Sequence, residues 1–269
     1  MRITVVVDNH CSKSGLYAEW GYSAYLETDS GNLLLDTAGP MNVLEHNLKF
    51  LKLDTAAVDA VILSHGHYDH IGGIESVLKL SPEAKIYAGS GVYSPRRGDA
   101  DKKRENGGIP VPLQSEVATF DDTFEALPGV IAFRVPAEKR NSRFVCQKNL
   151  WKVCDGNTIV ADPFEDDVSL VVKGRFGWSL LLGCAHAGLP NILKYAEEKF
   201  GIDEWYTVIG GTHLCSVSCE DYESWMQELS THKVKKWRPA HCTGFKAAAA
   251  LARTFDDVDW AGAGFTDEL

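Results

Sequence analysis

The sequence predicts an α/β fold in which two βα halves, roughly residues 1–135 and 136–269, pack sheet to sheet within a single domain. The first observation is the regular alternation of short apolar strands with amphipathic helices along the chain. The second is that strands lie at both ends of this pattern with helices between them, as in layered α/β proteins. The third is composition, since 269 residues with 45% hydrophobic side chains can form one large buried core.

The first half begins with a strand and a hairpin. Apolar patterning predicts strands over residues 3–8, 22–28 and 32–36, and the tripeptide DSG supplies a tight turn between the last two. Apolar residues near helical spacing predict a helix over residues 41–51. Residues 59–63 are a short apolar run that predicts a buried strand, and this strand leads directly into a histidine-rich segment.

The second half repeats the alternation of strands and helices. Two apolar runs joined by a glycine-containing turn predict a β-hairpin. Three helices and two strands follow, and Gly201 is the expected stop of the first of these helices. The predicted elements are strands 168–172 and 178–182, helix 190–200, strand 206–209, helix 220–231, strand 235–238 and helix 245–255.

The segment over residues 89–114 is predicted to be an irregular basic loop. It contains five cationic side chains in an otherwise acidic protein, which are Arg96, Arg97, Lys102, Lys103 and Arg104. One interpretation is a solvated surface loop, because long loops of this kind are often mobile. The other is a lid whose arginines bind an anionic substrate, and on this interpretation Arg96, Arg97 and Arg104 are the candidate substrate-binding residues.

Composition excludes several classes of function. A net charge of −10 argues against a protein whose main task is to bind nucleic acid or an anionic membrane. No apolar run approaches the roughly 20 residues that a membrane helix needs, and the first residues lack the pattern of a signal peptide. The seven cysteines are an odd number without a CxxC pair, which favours reduced thiols and a cytoplasmic location.

A dense group of metal-binding residue types follows the strand at 59–63. The hexapeptide HGHYDH contains His65, His67, Asp69 and His70, and a glycine pair follows it closely. Neutral imidazole and carboxylate oxygen are the ligands of zinc, manganese or ferrous iron. Ends of strands are also where open α/β folds bind their ligands. If the loop is extended, His65 and His67 point the same way and bind one ion, while Asp69 and His70 reach a second.

Three isolated histidines occur in comparable settings later in the chain. His186 lies in LLLGCAHAG, His213 in VIGGTHL and His241 in KKWRPAHCTG. Each follows a predicted strand and lies near glycine, so all three are candidates for the same site. His10, His46 and His232 lack this context and are not expected to be ligands.

The sequence resembles the metallo-β-lactamase superfamily. The segment VDAVILSHGHYDHIGG is similar to the metal loop of that superfamily, and AEWGYSAYLETDSGNLLLDTAG is similar to its first hairpin. GCAHAG, GGTHL and PAHCTG, in that order, resemble a subgroup that includes 7,8-dihydropterin-6-methyl-4-(β-D-ribofuranosyl)aminobenzene-5'-phosphate synthase and proteins described as metal-dependent hydrolases. The resemblance implies a four-layer αββα sandwich with metal ions at its rim.

The resemblance also implies a ligand set. His65 and His67 match ligands of the first metal, Asp69 and His70 match ligands of the second, and His241 matches the last histidine of the second metal.

One part of this chain departs from the pattern. The hairpin that ends in a bridging aspartate in many members ends here in Gly183-Cys184, so Cys184 replaces the aspartate or no residue does, and His186 supplies a ligand two residues later. Acidic residues before the hairpin are alternative ligands, although we expect a solvated acidic turn there; they are Asp162, Glu165, Asp166 and Asp167.

Such a site predicts a metal-dependent hydrolase of a small anionic ester, either a phosphoester or a lactone. Two divalent ions, with zinc preferred over manganese or iron, generate hydroxide at neutral pH and polarise the ester oxygen. Asp69 is both a ligand and the natural partner for the proton of the nucleophile. His213 is predicted to donate a proton or to stabilise a developing oxyanion, so Asp69 and His213 are the candidate catalytic residues.

Two alternatives remain open at this point. The subgroup resemblance implies a transferase that condenses a pterin pyrophosphate with an aminobenzene ribofuranosyl phosphate. The missing bridging aspartate would also suit a protein that binds a metabolite through metal and has lost catalysis. The expected partner is a small anionic metabolite in each case, with no nucleic acid and no membrane, and a homo-oligomer is compatible with the sequence.

Overall fold

The computed structural model describes residues 1–99, 101–145, 150–154 and 158–269. Cys146, one of the seven cysteines expected to be reduced, lies outside the described residues. The other six are free thiols, and they are Cys11, Cys154, Cys184, Cys215, Cys219 and Cys242.

Strands dominate the described part of the chain. The helices are short, and the longest has twelve residues. The strands are β1 (Arg2–Val7), β2 (Ser23–Thr28), β3 (Gly31–Leu35), β4 (Val58–Leu63), β5 (Lys85–Gly89), β6 (Arg96–Gly98), β7 (Arg104–Gly107), β8 (Val117–Phe120), β9 (Thr123–Leu127), β10 (Val130–Arg134), β11 (Leu150–Val153), β12 (Ile159–Ala161), β13 (Val168–Gly174), β14 (Gly177–Leu182), β15 (Trp205–Gly211), β16 (Val234–Ala240) and β17 (Thr266–Glu268). The helices are α1 (Val43–Phe50), α2 (Tyr68–Ile71), α3 (Ile74–Leu80), α4 (Leu189–Phe200), α5 (Tyr222–Leu229) and α6 (Phe245–Thr254).

The architecture is a four-layer αββα sandwich, which confirms the predicted fold class. One sheet has the strand order β17-β1-β2-β3-β4-β5-β8, and the other has the order β16-β15-β14-β13-β10-β9. Alternate residues of each strand face either the opposite sheet or the helices. Leu33 and Ile62 of the first sheet pack against Leu170 and Leu181 of the second, while Leu34 packs against helices α1 and α3 on the outer face.

The two sheets exchange segments across the boundary that the sequence suggested. The second sheet already begins at β9 (Thr123–Leu127), before residue 135, and the final strand β17 returns to pair with β1 in the first sheet. The strands and helices predicted outside residues 85–161 are all present, and none of their ends is shifted by more than two residues.

The parallel strands determine where the histidines meet. Strands β3, β4 and β5 are parallel neighbours in the first sheet, and β14, β15 and β16 are parallel neighbours in the second. The carboxyl ends of neighbouring parallel strands lie at the same edge of a sheet. The histidine-bearing segments after β4, β14, β15 and β16 are therefore brought to one rim of the sandwich.

The prediction of an irregular loop over residues 89–114 is wrong. This segment contains β6 and β7, which form a four-stranded antiparallel sheet with β11 and β12 in the order β12-β11-β6-β7. Its strands have only three or four residues each and are rich in charged side chains, so they lack the apolar alternation that marks a strand in sequence. An isolated bridge between His67 and Gly107 joins this small sheet to the histidine-rich segment.

No helix in the described ranges combines the length and the apolar character that crossing a bilayer requires.

Candidate metal centre

The histidine-rich segment begins two residues after the end of β4, at His65, and ends in the short helix α2. His65 and His67 lie in the extended part of the segment, whereas Asp69 and His70 lie in α2. All four side chains are buried. The backbone of β7 passes so close to this segment that position 107 must be glycine. A Cβ atom at Gly107 would collide with the carbonyl of Gly66.

The first ligand group consists of His65, His67 and His186. His65 Nε2 lies 2.8 Å from His67 Nδ1 and 3.2 Å from His186 Nε2. Nitrogens held by one tetrahedral zinc ion at about 2.0–2.1 Å are separated by about 3.3 Å. The three imidazoles therefore converge on one point, as three ligands of a single ion do.

The second ligand group consists of Asp69, His70 and His241. His70 Nε2 lies 3.2 Å from His241 Nε2, and His241 Nε2 lies 3.4 Å from a carboxylate oxygen of Asp69. The ligand atoms of this group all lie within 4.8 Å of one another. A mixed set of two imidazoles and a carboxylate fits zinc, manganese or ferrous iron.

Hydrogen bonds behind the histidines select the tautomers that metal binding needs. His70 Nδ1 donates to Asp36 at 2.7 Å. Ser64 Oγ donates to the same carboxylate at 2.8 Å and accepts from His65 Nδ1 at 2.9 Å. His241 Nδ1 donates to the side-chain oxygen of Asn9 at 3.0 Å. Each of these rings therefore leaves its Nε2 lone pair facing the centre, which is the arrangement that outer partners of metal-binding histidines impose.

Asp36 was not among the residues identified from sequence, although it lies in the DTAG segment that follows β3. It is fully buried, and its carboxylate also accepts from the backbone N–H of Ser64 at 2.6 Å. The sequence signal that could have found it is its position at the end of a strand adjacent to β4, at the same edge as His65 and His70.

We expect Asp36→Asn to weaken metal binding by the second ligand group about 10–100-fold, the usual effect of losing an outer partner. The amide leaves His70 Nδ1 without its charged acceptor and disturbs the link through Ser64 to His65. The measurement is a competition titration of the metal-free protein against a chromophoric chelator. Asp59→Asn is the matched control, because Asp59 is exposed on β4 and accepts a hydrogen bond from the backbone N–H of Asn32 in β3, away from the centre. Equal affinity in both variants would contradict the role of Asp36.

Burial dominates the electrostatics of the centre. It lowers the pKa of His65 and of His67 well below the ordinary value, and neighbouring cations lower them further. Burial also opposes the charged form of His70, but the carboxylates of Asp36 and Asp69 outweigh it and raise the pKa of His70 to about 9. For Asp69, His70 and His241 overcome the effect of burial and lower the pKa of the carboxyl.

Cys184 lies at the end of the β13–β14 hairpin, where many superfamily members have the bridging aspartate. Its Sγ is buried and lies 3.2 Å from His70 Nε2, and it also groups with His65 within 4.8 Å. Among the described residues, none of the acidic side chains at 162–167 belongs to a ligand group. A second thiol, Cys242, groups with Cys184 and His241. Sequence reasoning missed Cys242, although it directly follows His241 in PAHCTG.

The prediction of a solvated acidic turn at residues 162–167 is wrong. Asp162, Asp166 and Asp167 are buried, and only Glu165 of the acidic residues is exposed. Asp166 accepts from the backbone N–H of Gly66 at 2.8 Å, between His65 and His67. Asp167 accepts from the backbone N–H groups of His186 and Ala187 at 3.2 and 2.9 Å.

The same turn also contacts the imidazole of His186 directly. The ring of Phe164 stacks on that of His186 with 3.8 Å between the centroids and 2° between the planes. The turn therefore supports both chain segments of the first ligand group.

Arg96 does not contact the cavity at the centre. Its guanidinium is buried and forms ion pairs of 2.6 Å with both Asp162 and Asp166. The structure therefore gives Arg96 a structural role in place of the predicted contact with substrate. Arg97 pairs with the exposed Glu105 at 3.4 Å and also does not line the cavity. Of the three predicted substrate-binding arginines, Arg104 alone lines it.

The cavity above the centre has a volume of about 350 Å³. Both ligand groups and the small sheet contribute to the wall of the cavity. Trp20 also lines it, and 57% of the surface of this residue is exposed. The lining residues are Trp20, His67, Tyr68, Asp69, Arg104, Asn106, Leu150, Cys184, His213, His241 and Cys242. A cavity of this size with an arginine on its wall suits a small anionic molecule.

His213 lines this cavity without joining a ligand group of the described residues. Its ring centroid lies 4.3 Å from that of His186, and its Nδ1 is buried with no hydrogen-bond partner among the described residues. The backbone at His213 adopts a left-handed conformation, with φ at 51°. Burial, with a contribution from His241, lowers the pKa of His213 to about 4, so the ring is neutral at pH 7.

Comparison with known proteins gives consistent matches. The sequence model of the metallo-beta-lactamase superfamily matches residues 19–202. The chain is 26% identical to the 7,8-dihydropterin-6-methyl-4-(beta-D-ribofuranosyl)-aminobenzene-5'-phosphate synthase of Methanocaldococcus jannaschii, over 94% of this chain and 91% of the relative.

Solved structures extend the match over the whole fold. The crystal structure of Tm1679, a metal-dependent hydrolase of the beta-lactamase superfamily, superposes with a TM-score of 0.85 at 28% identity and covers 100% of this chain and 99% of its own. Zn²⁺-bound PqqB from Methylobacterium extorquens shares the fold, with a TM-score of 0.58 at 13% identity and full coverage of both chains.

Proposed function

The chain belongs to the metallo-beta-lactamase superfamily, and we propose on this premise that it is a metal-dependent hydrolase of a small anionic ester, in first place a phosphoester and otherwise a lactone. The observation that carries the proposal is the convergence of two ligand groups, each with three ligand atoms, beside a cavity of about 350 Å³. Arg104 gives this cavity a cationic wall in a protein of net charge −10.

Divalent ions in the two groups, with zinc preferred over manganese or iron, would supply an activated water and polarise an ester oxygen. The protein residues then divide the remaining tasks. His65, His67 and His186 serve one ion, and His70 and His241 serve the other. Asp69 is a ligand whose carboxylate also orients the proton of the nucleophile, and His213 donates a hydrogen bond to the developing oxyanion. Arg104 binds the anionic group of the substrate.

The test combines metal analysis with a substrate screen. Protein purified without added metal is analysed by plasma mass spectrometry, and then assayed with aryl phosphomonoesters, aryl phosphodiesters and lactones. We expect about two ions per chain, as a two-metal hydrolytic site requires, and turnover of at least one anionic ester. Treatment with a chelator should abolish this turnover, and added Zn²⁺ should restore it.

Variants assign the ions to the two groups. His186→Ala should lose the ion of the first ligand group, and Asp69→Ala should lose the ion of the second together with activity. His46→Ala is the control, because His46 stacks on Tyr17 and bonds to the backbone of Gly15, outside the centre. Two ions per chain with no turnover of any ester would contradict the hydrolase. Metal content unchanged by His186→Ala would contradict the ligand assignment.

The 26% identity to a synthase over most of the chain favours one second candidate. On this proposal the protein is a transferase that joins a pterin pyrophosphate to an aminobenzene ribofuranosyl phosphate. The ions would then assist departure of pyrophosphate, and the amine would attack in place of water. The two candidates are distinguished by measuring pyrophosphate release with and without the amine. Release that requires the amine supports the transferase, and release that occurs without it supports the hydrolase.

A further inference from the structure

We propose that Arg104 and Asn106 form a clamp for a phosphate group of the substrate, and that Gly98 is the residue that gives this clamp its room. The inference rests on the proposed function, because it narrows the anionic ester to one that carries phosphate. The three residues belong to β6 and β7 of the small sheet. Among the described residues, neither Arg104 nor Asn106 belongs to a ligand group, so the clamp is separate from the candidate metal ligands.

Strand β7 directs both side chains of the clamp to the cavity. Arg104 and Asn106 are two residues apart on this strand, so they share one face of the small sheet. Both line the cavity of about 350 Å³. Glu105, which lies between them, pairs with Arg97 at 3.4 Å and does not line this cavity. The alternation of the strand therefore places a cation and a carboxamide on the same wall.

The carboxamide of Asn106 is the observation that points to a ligand. Only 5% of this residue is exposed, yet its side chain forms no hydrogen bond with the rest of the described chain. A buried polar group without a partner is unfavourable. The NH₂ group of a carboxamide can donate two hydrogen bonds. We therefore infer that Asn106 donates to acceptor atoms of a molecule bound in the cavity.

Gly98 brings the guanidinium and the carboxamide together. It is paired with Arg104 across β6 and β7, and with Leu150 of β11 on its other side. A Cβ atom at Gly98 would lie 2.9 Å from Arg104 Nη2, 3.1 Å from Arg104 Nε and 3.3 Å from Asn106 Cγ. Both side chains therefore lie over the space that a larger residue would fill. Glycine in a strand often marks such a close approach.

The donors of the clamp suit a phosphate group. Arg104 Nε lies 3.3 Å from the carboxylate of Asp99, which leaves the Nη groups for a ligand. These groups and the NH₂ of Asn106 come from two side chains, so they can donate to different oxygens of one tetrahedral phosphate. Hydrogen bonds between a guanidinium and phosphate are among the strong ones. A lactone ring is uncharged, so the clamp favours a phosphoester over a lactone.

Replacing Gly98 with alanine tests the clamp without any turnover. Gly98 has no positive φ, so the backbone accepts alanine, and the new methyl group displaces the flexible end of Arg104. Binding of inorganic phosphate to the full-length protein as purified is measured by titration calorimetry. We expect Gly98→Ala and Asn106→Ala each to bind phosphate about 10–100-fold more weakly, the effect of losing hydrogen bonds to a charged group. Asn106→Asp should bind it more weakly still, because a carboxylate repels the anion.

A pair of charge variants separates the clamp from the general field of the small sheet. Arg104→Gln and Lys103→Gln each remove one positive charge from adjacent positions. Lys103 has a side chain that is 83% exposed and does not line the cavity. Arg104→Gln should weaken phosphate binding about 10–100-fold, whereas Lys103→Gln should bind phosphate like the wild type. The metal content of every variant is measured as well and should equal that of the wild type.

The outcomes separate this inference from the proposed function. Phosphate affinity that is unchanged in Gly98→Ala and Asn106→Ala, or a wild-type protein that binds no phosphate, would overturn the clamp, even if an ester is hydrolysed. Affinity that is lost only together with metal would also overturn it, because the phosphate would then be bound by the ions. Weaker binding in the variants at unchanged metal content supports the clamp, even if no ester is turned over and the hydrolase is contradicted.

Discussion

Replacing Arg96 with methionine is expected to lower the free energy of unfolding by about 3–5 kcal/mol, the cost of leaving a buried charge without its partner. The guanidinium pairs with Asp162 and Asp166 at 2.6 Å, and all three side chains are buried. Methionine fills a similar volume but removes the positive charge. Two carboxylates then remain in the interior with no cation between them.

Urea denaturation followed by circular dichroism measures this loss. Arg97→Met is the matched control, because Arg97 pairs with a glutamate whose side chain is 86% exposed, and exposed pairs contribute about 0–1 kcal/mol. Combining Arg96→Met with Asp162→Asn and Asp166→Asn should recover part of the stability, since the unpaired charges are then removed as well. Equal stability of the Arg96 and Arg97 variants would contradict the structural role of Arg96.

The pH dependence of the Arg96 variant follows from the same geometry. Burial raises the pKa of Asp166 even with the guanidinium in place. Without Arg96 this carboxyl takes up a proton more readily, and the neutral acid costs less to bury. A folded-state pKa above the unfolded value favours folding as the pH falls. The difference in stability between wild type and variant should therefore become smaller from pH 7 to pH 5.

The sequence was sufficient to predict the sandwich because its main strands and helices carry strong periodic signals. Strands such as β4 and β14 end in short apolar runs, AVIL and LLL, that are followed by serine or glycine, and helices such as α4 end at glycine. The small sheet could not be predicted in this way. Strands β6 and β7 pair charged residues with each other across a short stretch of chain, and β6 also pairs with β11, a partner more than 50 residues away.

The residues of the candidate site divide in the same way, into those that local sequence marks and those that depend on distant partners. His65, His67 and His70 occur within six residues, and His186 and His241 follow strands, so local sequence was enough to select these side chains, which the fold brings together. The roles of Arg96 and of the acidic turn were not visible, because an isolated charge does not reveal a partner 66 or 70 residues away. Both are buried in the folded protein, where they support the chain segments that carry the first ligand group.

Asp36 and Cys242 were missed for a different reason. Each lies beside a recognised motif, but its function depends on the direction of its side chain, which only the folded chain determines. Asp36 reaches back to His70, and the sulfur of Cys242 lies within 4.8 Å of the ligand atoms of His241 and Cys184. Residues adjacent to a metal-binding motif are therefore candidates for the same site.

Replacing His213 with alanine is expected to lower kcat about 10²–10³-fold on the ester identified by the substrate screen, the usual effect of removing one hydrogen-bond donor to an oxyanion. His213 lines the cavity and belongs to no ligand group among the described residues, so the variant should keep both metal ions. Its ring is neutral because burial lowers its pKa to about 4, and a neutral imidazole still donates one N–H.

Measurement of kcat beside metal content decides between two roles for His213. A loss of turnover with about two ions still bound identifies His213 as the donor, whereas loss of an ion makes it a ligand. His213→Asn restores a side-chain N–H at a shorter reach and should recover part of the activity, which a merely structural role would not predict. The control is His46→Ala, whose ring packs against Tyr17 and Phe50 away from the cavity. Unchanged kcat in His213→Ala would show that the oxyanion is stabilised by other groups, of which Arg104 is the cationic one on the cavity wall.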